Sequence, residues 1–381
     1  MKILIACLND SNLYPSPYFI ASALANHGHD VTFLSRIRPM IQLPREYSNV
    51  PKWRELSTPG PIENKIPFIR GNYHRVFNEI IKIKPDVFIG QHQLAMIGAV
   101  YSLFNNKTKV IPYFCDHMVG MWYSSMMRRL AYRYAGYIDI CDLRVAWRKN
   151  EWAAMQCPTF VIRQAPPLGG DEKLMPHDGA GRLVFTGSDY GEDMQWDLLS
   201  RFIRAVTERG VDFDWYMPGK PEKREKAKAI VDNRHFRVLE PVDKAQLLKL
   251  LPEYDVGLLW APVRLEQRRT PRTVWDHNLL SAASNKICEY HAAGLVSVHT
   301  GNPGLHYLPT GVSQVINPWE PEASAERIAA FLEQRSLVEE GRRAAFDYYK
   351  TTMNAEWQVA PLIQYIQTFE PLPGAAVSCD A

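Results

Sequence analysis

Residues 284–304 read SNKICEYHAAGLVSVHTGNPG, and the reading of this stretch decides the fold. Its hydrophobic period changes partway along. Ile287, Tyr290 and His291 keep helical spacing, and small residues then lead into Val296, Ser297 and Val298. The pattern predicts a short helix over 285–293, ended by Gly294 and followed by a buried strand. Thr300, Gly301, Asn302, Pro303 and Gly304 then form a loop at the strand's C-terminal edge, where open α/β sheets place their ligands. Asn285 and Lys286 fall in the first helical turn, where backbone N–H groups and the helix dipole favour an anion. Glu289 lies one turn further along and can accept a hydrogen bond from a ligand hydroxyl. The same letters also suit an Asn-capped helix with a solvated Lys and Glu before an ordinary strand.

Working outward, the chain alternates strand and helix signals. Residues 2–8 form an apolar run suited to a buried parallel strand. A helix over 18–27 is closed by Gly28, and a strand follows at 30–35. No glycine fingerprint follows the first strand, which argues against a dinucleotide oxidoreductase. Residues 38–67 are proline-rich with little periodicity and are expected to form a loop region. Helices are predicted over 70–83 and 94–104, and strands ending at Gln91-His92 and over 109–114. Two further short strands are expected at 139–142 and 160–163. QAPPLGG at 164–170 couples stiff prolines to flexible glycines and is the best domain boundary in the chain. Beyond it come a strand at 182–186, a small-residue loop from Gly187 and Ser188, and a helix over 194–209. Strand-plus-turn units follow at 213–218 and 236–241, then a strand at 256–260. Helices over 324–334, 337–350 and 357–368 close the chain, with a tail that has little to hold it.

Composition sets bounds. With 381 residues, 46% hydrophobic and 22% charged, the chain is globular and long enough for two domains. A net charge of +3 is too mild to argue for nucleic acid. Cys7, Cys115, Cys141, Cys157, Cys288 and Cys379 are scattered, with no CxxC pair and no metal-ligand spacing. They read as thiols in a reducing compartment. The start MKILIACL is short for a signal peptide and no apolar run reaches a membrane span, so a cytoplasmic protein is expected.

The helix-loop segment resembles the donor-site motif of glycosyltransferase family four, NKxxEYxAxG followed by a hydrophobic strand and a PG loop. That resemblance implies an α/β protein with the GT-B fold, two Rossmann-like doubly wound domains facing a central cleft. It implies an acceptor-binding domain over 1–166, with a helix over 354–369 packing back on it. A nucleotide-sugar-binding domain over 171–350 and a tail over 370–381 complete the layout. The glutamate matching Glu289 binds the ribose of a sugar nucleotide in that family, and the lysine matching Lys286 lies near the diphosphate in several relatives. Asn285, Pro303 and Gly304 fall on the same motif. Leu239, at the strand-plus-turn that lines the base pocket in relatives, would offer backbone groups to the base edge. The expected donor is a nucleotide-diphosphate sugar, a UDP-sugar by preference, with no prosthetic group. No DxD-type pair stands out, in keeping with transfer that needs no metal.

This sequence departs from the family in two places. The loop that usually reads GR, with a lysine five or six residues on, is here Gly187-Ser188 followed by Glu192 and Asp193. A second glutamate expected eight residues before Glu289 is Ser281. Arg264, Arg268, Arg269 and Arg272 lie just ahead of the motif and can supply a replacement phosphate clamp, or can be a solvated basic loop. Ser188 is kept as a phosphate-loop candidate with Gly187.

The strand at 109–114 ends in Cys115-Asp116-His117. A carboxylate and an imidazole at a strand's C-terminal edge are placed to meet a ligand. Xanthan-type glucuronosyltransferases are similar here, with a strand-end aspartate as proposed general base. Asp116 would deprotonate an acceptor hydroxyl and His117 would hydrogen-bond the donor; alternatively, Asp116 caps the next helix. Residues 118–137 mix Met, Trp and Tyr with Arg128, Arg129 and Arg133. They suit a helix packed on the sheet, and also an interfacial helix meeting anionic lipid. The expected activity is sugar transfer to a carbohydrate, lipid-linked or small-molecule acceptor, in bacterial polysaccharide, glycolipid or glycoconjugate synthesis. Peripheral contact with the inner face of a membrane through the N-terminal domain fits the same residues. Two other readings share the nucleotide site: a GT-B-fold sugar-nucleotide epimerase, and a degenerate module that binds without turnover.

Overall fold

The computed structural model describes residues 1–8, 16–39, 43–45, 47–56, 72–115, 122–152, 155–166, 173–175, 181–187, 195–262 and 285–370. The chain divides into two compact units, Met1–Gly169 with Asn354–Ala381, and Gly170–Met353.

The first unit is built on seven parallel strands in the order β3-β2-β1-β4-β5-β6-β7. They are β1 (Lys2–Ala6), β2 (Asp30–Ser35), β3 (Lys52–Glu55), β4 (Val87–Gln91), β5 (Lys109–Phe114), β6 (Tyr137–Asp139) and β7 (Thr159–Val161). Apart from exposed first residues, β1, β4 and β5 are buried along their whole length, as unbroken apolar runs in a parallel sheet require. The connecting helices are α1 (Ser16–Asn26), α2 (Tyr73–Ile83), α3 (Leu94–Phe104), α4 (Trp122–Arg129) and α5 (Asp142–Glu151). Phe88, Val110, Phe114 and Tyr137 of the sheet share one core with Leu94, Ile97 and Met127 of the helices.

The second unit repeats the plan with six parallel strands in the order β10-β9-β8-β11-β12-β13. Its elements run β8 (Arg182–Thr186), α6 (Trp196–Thr207), β9 (Asp212–Tyr216), α7 (Pro221–Lys228), β10 (Phe236–Leu239), α8 (Lys244–Leu250) and β11 (Val256–Leu259). They continue through α9 (Asn285–Ala292), β12 (Val296–His299), β13 (Ser313–Val315), α10 (Pro321–Glu333) and α11 (Arg335–Tyr348). A π-helical turn, Tyr349–Met353, leads into α12 (Ala355–Thr368), which packs on α1 and β7 of the first unit. Counted from the first strand of each unit, both sheets begin 3-2-1-4-5-6. That order reverses direction between β1 and β4 and between β8 and β11, which are the topological switch points. Two Rossmann-like parallel sheets with flanking helices give the α/β, GT-B architecture.

Three local expectations are corrected. The region 38–67 contains β3, an edge strand whose alternating Lys52, Trp53, Arg54 and Glu55 leave only Trp53 half-buried and so lack a hydrophobic signature. The strand expected at 139–142 lies earlier, at Tyr137–Asp139, and Asp142 instead opens α5. The residues 118–137 do not form one helix: α4 ends at Arg129, and a single 3-10 turn, Ala131–Arg133, precedes β6. Met127, Tyr134 and Tyr137 from that stretch are buried, whereas Met126, Arg128, Arg129 and Tyr132 face solvent. Among the described residues no helix is long and apolar enough to cross a membrane.

Candidate functional site

Helix α9 is held against the second sheet by Tyr290. Its hydroxyl accepts the backbone N–H of Thr186 at 3.1 Å, lies 3.1 Å from Thr186 Oγ1, and donates to the carbonyl of Leu258 at 3.0 Å. One phenol therefore ties the helix to both strands that flank the switch point, β8 and β11. The ring needs Gly257 beneath it, since a Cβ there would come within 2.3 Å of the aromatic carbons. Gly294, at φ +74°, ends the helix in the left-handed conformation that favours glycine.

This docking brings Lys286 to Gly187, 99 residues away in sequence. A Cβ on Gly187 would lie 2.5 Å from Lys286 Cε and 2.9 Å from its Nζ, so the amine crosses directly over the glycine. The Gly187 N–H donates to Tyr216 O at 3.0 Å, which carries the β8–β9 ladder past the strand end, and its carbonyl accepts the indole N–H of Trp215 at 2.9 Å. The absent Cβ leaves the space that Lys286 crosses. Glu289, one turn along from Lys286, is 2% exposed. Asn285 opens the helix.

The loop after β12 is preformed. Thr300 Oγ1 accepts the N–H of Ala261 at 3.2 Å, which couples the ends of β11 and β12. Asn302 Oδ1 accepts the N–H of Gly304 at 3.1 Å, and Pro303–Leu305 form a 3-10 turn, so Pro303 and Gly304 sit in an Asx-stabilised corner. His299 Nδ1 accepts the N–H of Gly301 at 3.3 Å, which leaves the ring proton on Nε2. Burial lowers the pKa of His299 to about 4 and that of His291 to about 3, so both rings are neutral near pH 7. Leu239 closes β10, where its carbonyl accepts Met217 N–H at 3.2 Å and its side chain packs against the buried cluster that includes Tyr216 and Tyr254. Asp116, His117, Ser188, Arg264 and Arg268 lie outside the described residues.

At the switch point of the first unit the structure assembles a buried polar cluster that the sequence did not announce. Cys7 Sγ donates to Gln91 Oε1 at 2.8 Å, and Gln91 Nε2 donates to Cys115 Sγ at 3.1 Å. His92 Nε2 lies 2.9 Å from the same sulfur. Arg144 donates to the carbonyls of Phe114 and Cys115, each at 3.3 Å, and its Nε lies 3.0 Å from Asp139 Oδ1. Arg148 stacks on Phe114 at 4.1 Å and Trp152 at 4.8 Å, with Asp139 Oδ2 3.9 Å away. Burial, with the two guanidiniums, pushes His92 down to about 3. The cluster braces the last residues of β5 immediately before Asp116. Arg144 and Arg148 are spaced i, i+4 on α5, so a helix assigned there would have put both on one face. Among the described residues no group of three or more His, Cys, Asp or Glu is placed to hold a metal ion.

No family model matches the sequence and no curated protein matches it. Solved structures do. Sucrose-phosphate synthase from Thermosynechococcus elongatus superposes with TM-score 0.66 at 12% identity, covering 96% of this chain and 98% of that one. A glycosyltransferase from Rickettsia africae gives TM-score 0.66 at 12% identity, covering 97% and 98%. A protein assigned as a UDP-N-acetylglucosamine 2-epimerase from Listeria monocytogenes gives TM-score 0.57 at 14% identity, covering 98% of each chain. At these identities the likeness speaks for architecture, and over its whole length this chain has the two-unit GT-B fold.

Proposed function

We propose that the protein is a glycosyltransferase that moves a sugar from a nucleotide-diphosphate sugar, a UDP-sugar by preference, to an acceptor hydroxyl. The observation that carries this reading is the Lys286 amine laid over Gly187 at the second switch point, with Glu289 one turn further along α9. In this reading residues 171–350 hold the donor and residues 1–166 present the acceptor. Lys286 and the N-terminus of α9 face the diphosphate, Glu289 takes the ribose hydroxyls, and Ser188, Arg264 and Arg268 complete the phosphate contacts. Asn285, Pro303 and Gly304 border the site, and Leu239 meets the base edge.

Asp116 removes the acceptor proton as the new bond to the anomeric carbon forms and the bond to the diphosphate oxygen breaks; His117 hydrogen-bonds the donor. Negative charge then grows on the leaving diphosphate, and fixed cations meet it without a metal ion. Acceptors in bacterial polysaccharide, glycolipid or glycoconjugate synthesis fit, as does peripheral membrane contact through the first unit. The epimerase likeness supports a second reading in which the sugar nucleotide itself is converted with no acceptor present.

The test is a thermal-shift screen with UDP, GDP, ADP, CMP and their sugars, repeated on Glu289→Gln and Lys286→Ala. A nucleotide at about 100 times its Kd stabilises the folded state by about 2.7 kcal/mol. The expected result is a shift with UDP that both variants reduce. No shift with any nucleotide overturns the donor site. Asp116→Asn should abolish transfer and keep the UDP shift, whereas conversion of sugar nucleotide alone would establish the epimerase.

A further inference from the structure

The edge of the first sheet opposite its switch point carries a depression of 340 Å³ at the start of β5. Ser102, Asn106, Thr108, Lys109, Tyr132 and Arg133 line it, and no carboxylate does. Arg133 is held in place from one side: Nε donates to Ser102 Oγ at 3.2 Å, and Nη2 donates to Asn106 Oδ1 at 2.8 Å and to the Ser102 carbonyl. Lys109 Nζ lies 5.6 Å from the centre of the Phe369 ring. Among the described residues neither cation has an ion-pair partner, so the depression presents donors and positive charge together.

Its surroundings continue the pattern. Tyr132 is 61% exposed, and Phe104, at the end of α3, is 84% exposed. Leu103 and Met126 are exposed nearby in sequence, with Lys107, Arg128 and Arg129. From residue 87 to residue 138 the chain has one carboxylate, Asp116, which follows the opposite end of β5. Exposed aromatics beside uncompensated cations are what a headgroup interface selects, since the cations meet phosphate and the rings enter just below it.

We propose that this edge docks on an anionic phospholipid surface, with one headgroup phosphate taken between Lys109 and Arg133 while Phe104 and Tyr132 enter the interface. A second copy of the chain is a poor occupant, because the patch would face its own positive charge. A soluble phosphate compound would use the cations and leave the rings in water. The inference specifies the membrane contact included in the proposed function and is independent of the transferase reading. Its test therefore uses no activity.

The full-length protein is sedimented with vesicles of phosphatidylcholine, with and without phosphatidylglycerol, at low and high salt. Binding is expected to the phosphatidylglycerol vesicles and to weaken with salt. Lys109→Ala should lower the binding constant about fivefold, and Phe104→Ser should lower it further, both with unchanged melting temperature. Failure to bind, equal binding to phosphatidylcholine alone, or binding that both variants retain overturns the proposal. Stabilisation by glycerol phosphate without vesicle binding overturns it too, and assigns the depression to a soluble phosphate. A UDP thermal shift in the same variants keeps the donor-site reading separate from either result.

Discussion

The two sheets share one strand order and differ in what stands at the switch point. In the first unit the ends of β1, β4 and β5 carry Cys7, Gln91, His92 and Cys115, which bond one another and rest on Arg144, Arg148 and Asp139. In the second unit the end of β8 is Gly187, and the group that reaches it is the amine of Lys286. Two edges of equal topology thus serve unlike ends. Interlocked side chains make one a rigid brace for the segment that follows, and a missing Cβ gives the other room for a long cation. A switch point supplies a crevice, and the residues at the strand ends decide which side chains fill it.

The largest test of this contrast is Asp139→Asn. It removes the carboxylate beside two buried guanidiniums and should cost about 3–5 kcal/mol, as breaking a buried ion pair does. Hydrogen exchange should quicken in β4, β5 and β6 and stay unchanged in β8 and β11. A cost under about 1 kcal/mol would show that the brace is dispensable and erase the distinction.

Acid should weaken both units next. His92 and His291 each have a folded pKa near 3, below the ordinary 6.5, so the unfolded chain binds more protons as pH falls. Their contribution is complete above pH 6.5 and is lost as pH falls towards their folded values. At about 1.4 kcal/mol per pH unit, each ring is worth about 5 kcal/mol in full, of which about 2 kcal/mol is lost between pH 7 and pH 5. Urea midpoints measured from pH 7 down to about pH 5, above most carboxylate titration, should fall in the parent. The slope should be shallower in His92→Gln and in His291→Gln, and unaltered slopes would mean that neither ring is held neutral.

Tyr290→Phe sharpens the comparison on the other side. Loss of the hydroxyl leaves the buried Thr186 N–H without that acceptor, a penalty of about 1–3 kcal/mol by urea unfolding. Gly187→Ala should cost about 1–3 kcal/mol, because its φ of +141° is a backbone conformation that side chains with a Cβ rarely adopt, while the methyl group itself meets only the flexible end of Lys286. Its effect should also appear in the ligand, as a reduced UDP shift. An intact shift would mean that the Lys286 amine over Gly187 has no part in donor binding.

Much of this was readable in advance, for identifiable reasons. The runs at 30–35, 94–104, 109–114 and 182–186 match β2, α3, β5 and β8 because apolar continuity or helical spacing there is unambiguous. Helix α5 escaped notice because Asp142-Leu143-Arg144-Val145-Ala146-Trp147-Arg148 puts two arginines on its inward face, where a hydrophobic stripe is expected. Strand β3 escaped because three of its four side chains are charged. In the 285–304 segment, Lys286 and Glu289 were legible as a pair on one helix. Gly187 was legible only as a small residue in a loop, because the Tyr216 carbonyl and the Lys286 amine that meet it are distant in sequence.

By itself the sequence determined the alternation of strand and helix and the placing of Lys286 and Glu289 on one helix ahead of a buried strand. Those depend on periodicity and on residue type within a few positions, which a chain carries locally. Only the tertiary structure decided that Lys286 crosses Gly187 and that Tyr290 bridges β8 and β11. It alone decided that Asp139 stands beneath two arginines and that Lys109 and Arg133 share one depression. These depend on parallel strand order, which joins residues far apart in the chain, and no local pattern records which distant backbone will lack a Cβ where a side chain must pass.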